Sequence, residues 1–196
     1  MLFRSVNVLR DHSRGDARWL VYECALGGES GIRAFNVMNS DLLSSFLEPD
    51  SSATDLFASY NTVDHTEDVE VRTLDSVLAE LRREIDIGGE IFLKMDTQGY
   101  DLEVLKGADR SLSDIAAVQT ELSCLKLYKH MPGYVEVLEA LNKRGFQLSG
   151  LFPVNQDTLL RIIEADCVMI NSARVGSDNV RLMWTNAQRS DRKSVV

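Results

Sequence analysis

The feature that most constrains the fold is an alternation of strands and helices, clearest over Ile91–Ala108 (IFLKMDTQGYDLEVLKGA). There an apolar strand runs to Asp96, Thr97–Gly99 makes a glycine-containing turn, and a helix follows over Tyr100–Ala108. The same rhythm continues on both sides. A short strand over Glu70–Thr73 leads into a helix whose Leu74, Val77, Leu78, Leu81 and Ile85 recur at helical spacing, with Thr73 as its N-cap. Gly88 and Gly89 stop it. Ile115–Leu122 reads as another strand. Pro132 then opens a helix carrying Tyr134, Val137, Leu138 and Leu141, and Gly145 closes it. Gln147–Val154 and Asp166–Asn171 read as an antiparallel pair. This order predicts an α/β fold with helices on the faces of a sheet.

Upstream, Leu2, Val6 and Leu9 stand at helical spacing with no capping residue before them. Trp19–Leu26 (WLVYECAL) is dense in β-formers and predicts a buried strand, ended by Gly27 and Gly28. Gly31–Val37 alternates as a second strand. From Met38 to Thr66 the chain is polar and reads as a long loop with one helical turn, a length that is usually functional or mobile. Residues 1–173 form one expected domain. Residues 174–196 are polar and mildly basic, an expected disordered tail with Trp184 as a candidate anchor.

The net charge is −9 with a pI near 4.8, so the body has no basic footprint for phosphates. That excludes nucleic acid as a natural partner and disfavours anionic membrane surfaces. The chain has no apolar run of about 18 residues and no leader-like start, which predicts a cytoplasmic protein without a membrane span. Cys24, Cys124 and Cys167 are odd in number and form no CxxC, which suits reduced, partly buried thiols and no metal site.

Ligands of open α/β sheets bind beyond the carboxyl ends of the strands, and Asp96 stands at such an end. Its alternative role is to cap the following helix, where Asp101 suits the helix dipole. Glu121 ends the next strand towards the same edge and could deprotonate a hydroxyl, or pair with Lys126 or Lys129. The loop Leu125–Gly133 brings Tyr128 and His130 towards that edge, His130 as a base near neutral pH or as a solvated loop residue.

Taken in order, VEVRTLDSVL (69–78), IFLKMDTQGYDLEVLKGA (91–108), VQTELSCLKLY (118–128), the GF at 145–146 and EADCVMIN (164–171) resemble the FkbM family of S-adenosylmethionine-dependent methyltransferases. ECALGGESG (23–31) is similar to the segment after that family's third strand. The resemblance implies a Rossmann-like class I methyltransferase sheet of seven strands with a C-terminal antiparallel hairpin. It places Asp96 at the methionine end of S-adenosylmethionine or at the substrate, and Ala25 and Leu26 at the adenine edge. It puts Gln98, Glu121 and Tyr128 at the acceptor pocket. The implied reaction is O-methylation of a small-molecule or sugar hydroxyl.

The family's GxGxxG-like loop has no counterpart before Trp19, and Gly27–Gly31 reads as a turn. The expected sheet is therefore incomplete at its N-terminus, with the first two strands missing. The alternative to an enzyme is then a non-catalytic remnant that acts through protein contacts. An exposed edge on the strand 91–96 predicts a homodimer through that edge, re-pairing of Trp19–Leu26 against it, or poor solubility.

Overall fold

The computed structural model describes residues 2–16, 19–50 and 62–174. The expected tail beyond Arg174 and its anchor Trp184 lie outside the described residues. The elements run α1 (Leu2–His12), β1 (Ala25–Leu26), β2 (Gly31–Met38), β3 (Val63–Arg72), α2 (Leu74–Glu84), β4 (Ile91–Lys94), α3 (Asp101–Lys106), β5 (Ile115–Ser123), α4 (Tyr134–Lys143), β6 (Phe146–Gln156) and β7 (Ile162–Asn171). Among these residues no helix is long and apolar enough to cross a membrane.

The fold is mixed α/β with two sheets, ordered β1-β3-β2 and β4-β5-β7-β6. This corrects the single sheet implied by the resemblance. β1 pairs with β3, and no described strand bridges it to β4. The second sheet follows the expected pattern. β4 and β5 are parallel, and the β6–β7 hairpin adds antiparallel to β5. β4 lies at the end of its sheet with Phe92 exposed, so one edge is open.

Three local expectations change. Trp19–Leu26 forms a ladder only at Ala25↔Val71 and Leu26↔Arg72, and Trp19 remains 51% exposed. Beyond this two-residue ladder no described strand pairs with the run, and the Trp19 N–H donates to the Asp16 carbonyl instead. Nor does it re-pair with the strand at 91, because β3 takes it instead. The strand expected at Glu70 begins at Val63, where it pairs antiparallel with β2. Its Asp64, Thr66 and Asp68 face solvent, so apolar alternation is lost and the segment looks like loop. Among the thiols, all free, Cys167 is buried and Cys24 partly so, but Cys124 is exposed at the end of β5.

The core forms where α2, α3 and α4 cover the second sheet, with Leu78, Val104, Leu105, Ile115, Val118, Leu141, Phe146 and Cys167 among its buried residues. Thr73 caps α2 as its sequence predicts, accepting from the Ser76 N–H at 3.1 Å. Asp75 in the first turn of α2 accepts from the Ser111 N–H at 2.8 Å and hydroxyl at 2.6 Å, fastening α2 to the segment after α3. The segment after β1 meets the C-terminal end of α3 at glycines. A Cβ on Gly107 would lie 2.0 Å from the carbonyl oxygen of Gly27, so a side chain there is sterically excluded. A second cluster, Met38, Leu127, Tyr128 and Met131, ties the chain after β2 to the loop after β5.

Candidate active site

β4 and β5 run parallel, so their carboxyl ends share one edge of the sheet. The turn Thr97–Gly99 and the end of β5 open there into a cleft of about 350 Å³. Asp96 and Glu121 line it together, at the shared edge that the strand order predicts, and Gln98 lines it with them. Opposite them stand Ser40, Leu42 and Leu43 from the chain after β2, Val154 and Asn155 from β6, and Glu164 from β7.

The turn is built for tightness. Gln98 has φ 48° and Gly99 φ 87°, and the Tyr100 N–H donates to the Thr97 carbonyl at 3.2 Å. Positive φ at both central residues is the sign pattern of a type I′ turn. Glycine takes it freely and glutamine does not, so Gln98 must be held. The fully buried Ser45 hydroxyl donates to the Gln98 carbonyl at 2.9 Å. The Gln98 amide nitrogen then donates to Glu121 Oε2 at 3.0 Å.

Glu121 lacks the lysine partners that its sequence neighbourhood offers. Lys126 lies beside Glu136 and Lys129 pairs with Glu48. Burial disfavours its charge, and the carboxylates of Glu164, Asp96 and Asp101 add to that, so its pKa is pushed up to about 7 against the weaker opposing effect of Gln98. Asp101 is buried below, where burial raises its pKa and the Thr120 hydroxyl, donating at 3.0 Å, opposes the rise. Glu164 accepts from the Asn155 amide at 2.6 Å.

Asp96 does not cap α3, whose N-cap is Tyr100. It is exposed at the rim and pairs with Lys94 at 3.3 Å. Tyr128 is buried beneath the cleft and donates to the Leu43 carbonyl at 2.7 Å. Burial and the nearby Glu164 and Glu121 carboxylates raise its pKa further, so the phenol keeps its proton. His130 is placed elsewhere. With φ 59° it lines a separate groove with Gly99, Lys106, Lys126 and Glu136, on the far side of the same turn. Ala25 and Leu26 line neither cleft, and Leu26 packs against the main core.

Asn155, Glu164 and Ser40 were not legible as site residues, because each arrives from a distant segment. The one signal was register. Glu164, near the start of β7, stands opposite Ser123, so an antiparallel hairpin on β5 delivers it to the end that carries Glu121. Among the described residues no group of three or more His, Cys, Asp or Glu side chains is arranged to hold a metal ion.

No curated protein and no solved structure matches the chain. The Methyltransferase FkbM domain matches residues 7–148, which run from within α1 into the start of β6 and include the Asp96–Glu121 side of the cleft. The match spans well over half of the 196 residues, and the chain belongs to the FkbM methyltransferase family.

Proposed function

We propose that the chain transfers a methyl group from S-adenosylmethionine to a hydroxyl of a small molecule or sugar, with Glu121 taking the hydroxyl proton. The observation that carries this reading is Glu121 itself. It is a half-buried carboxyl with no cationic partner among the described residues, held near neutrality at the carboxyl end of a parallel strand. A base with a pKa near the working pH combines available ionised form with enough affinity for the proton.

Bound S-adenosylmethionine supplies an electrophilic methyl group. The residues present fit one end of it: Asp96, Glu121 and Glu164 complement its sulfonium and ammonium charges. They offer no glycine cradle for adenosine. A Cβ on Gly27 would lie 2.7 Å from Val71, so that glycine serves packing, and Gly28 faces the movable Glu103 carboxylate. Asp96, at the rim, is placed to meet the donor or the acceptor. Gln98, Asn155 and Ser40 provide amide and hydroxyl groups for an oxygen-rich acceptor, and Leu42, Leu43 and Val154 provide its apolar side.

Calorimetric titration with S-adenosylmethionine tests the donor. Saturable micromolar binding is expected, and its absence overturns the transferase reading in favour of a protein-interaction module. Label transfer from the donor to a panel of sugars and other hydroxylated compounds tests the base. Ionisation of Glu121 makes the rate rise with pH through about 7, and E121Q flattens that limb and lowers the rate by about 10²–10⁴-fold. An unchanged pH profile in E121Q removes Glu121 as the base.

A further inference from the structure

We propose that Gln98 is a two-position residue: its amide donates to Glu121 while that carboxyl is ionised and turns over to accept from it once it is protonated, with Tyr128 as the partner of the turned state. The catalytic meaning rests on Glu121 being the base, but the geometry does not.

The argument starts from one proton. The Tyr128 hydroxyl has two acceptors in reach, the Leu43 carbonyl at 2.7 Å and Gln98 Oε1 at 3.4 Å. A phenol has a single hydrogen to donate, and the shorter contact takes it. Tyr128 Oη and Gln98 Oε1 then face each other with no hydrogen between them, a poor contact in the orientation where the Gln98 nitrogen meets Glu121.

Turning the amide over exchanges its two ends at nearly unchanged atom positions. Nε2 then donates to Tyr128 Oη, whose own hydrogen stays on the Leu43 carbonyl. Oε1 then faces Glu121 Oε2, and two acceptors meet there unless Glu121 carries a proton. Ionised Glu121 therefore requires one orientation of Gln98, and protonated Glu121 gains an additional hydrogen bond from the other.

Only the side chain has to move. Ser45 and the tight turn fix the Gln98 backbone, and the terminal torsion of glutamine is broad and nearly two-fold. The charged groups facing Glu121 all favour its protonated form: Asp96 after β4, Asp101 on α3 and Glu164 on β7. Tyr128, from the loop after β5, remains a neutral hydrogen-bonding partner. In methyl transfer the turned amide would hold Glu121 after it takes the acceptor proton, and would turn back as that proton leaves to solvent.

The test reads the titration of Glu121 directly, by carbon NMR of the intact chain labelled at glutamate side-chain carboxyls, with the resonance assigned by its loss in E121Q. Y128F removes the acceptor of the turned state, so the Glu121 midpoint falls by about one pH unit, the worth of one ordinary hydrogen bond. If Gln98 were fixed as a donor, losing Tyr128 would leave the midpoint unchanged or raise it, and either result overturns the proposal. Should Y128F fail to fold, Q98M decides. It removes one charge-assisted bond from the ionised state and two neutral bonds from the protonated state, which nearly offset, so the midpoint moves by less than about half a unit, whereas a fixed donor predicts a rise of about one unit. A falling midpoint in Y128F from a protein that binds no S-adenosylmethionine would keep the switch and remove the transferase reading.

Discussion

β5 and the run Trp19–Leu26 look alike as sequence, each a dense apolar stretch, yet they end differently. β5 has β4 on one side and β7 on the other, and most of its side chains are buried or half-buried. In the other run only Ala25 and Leu26 are paired, on one side, and Trp19 and Leu20 lie about half exposed. Apolar side chains draw a segment inward, but its N–H and C=O groups must also be satisfied. A strand forms where a neighbouring backbone is available to bond, so the same composition yields a sheet centre in one place and a two-residue ladder in another.

Three substitutions break or sharpen that contrast. The largest loss is expected on the covered side. Phe146→Ala empties a fully buried site under α4 and β7 and should cost about 4 kcal/mol in denaturant unfolding. A loss under about 1 kcal/mol would mean that the second sheet is not packed as described. Next, Gly107→Ala drives a methyl group into the Gly27 carbonyl and should cost about 3 kcal/mol, because backbone rather than a flexible side chain must yield. If urea midpoints of variant and parent coincide, the segment after β1 does not meet the end of α3 at these glycines. Smallest is Trp19→Ala, worth no more than about 0.5 kcal/mol for an exposed residue. A cost as large as that of Phe146→Ala would place Trp19 against a partner and erase the contrast.

Much of the site could be read in advance because its first half is local. Asp96, Gln98 and Glu121 follow parallel neighbours in a strand–turn–helix–strand unit, and the unit itself puts them at one edge. The hairpin and the Thr73 cap were legible for the same reason: turn chemistry and period sit within a few residues. The other wall of the cleft was not. Ser40, Leu42 and Leu43 arrive through packing of the second cluster, and Asn155 and Glu164 arrive through register, neither of which leaves a local pattern. His130 failed for the opposite reason. It is near Tyr128 in sequence, but its own positive φ and the tight turn at Gly99 put it in the neighbouring groove.

The contact of Gly107 with Gly27 is a seam of main chain against main chain. Such a joint is indifferent to polarity and charge and responds to volume alone. Flanking positions such as Ala25 can therefore drift in chemistry without parting this joint, while one added carbon at Gly107 would force a shift that reaches α3 and, through its first turn, the floor of the cleft.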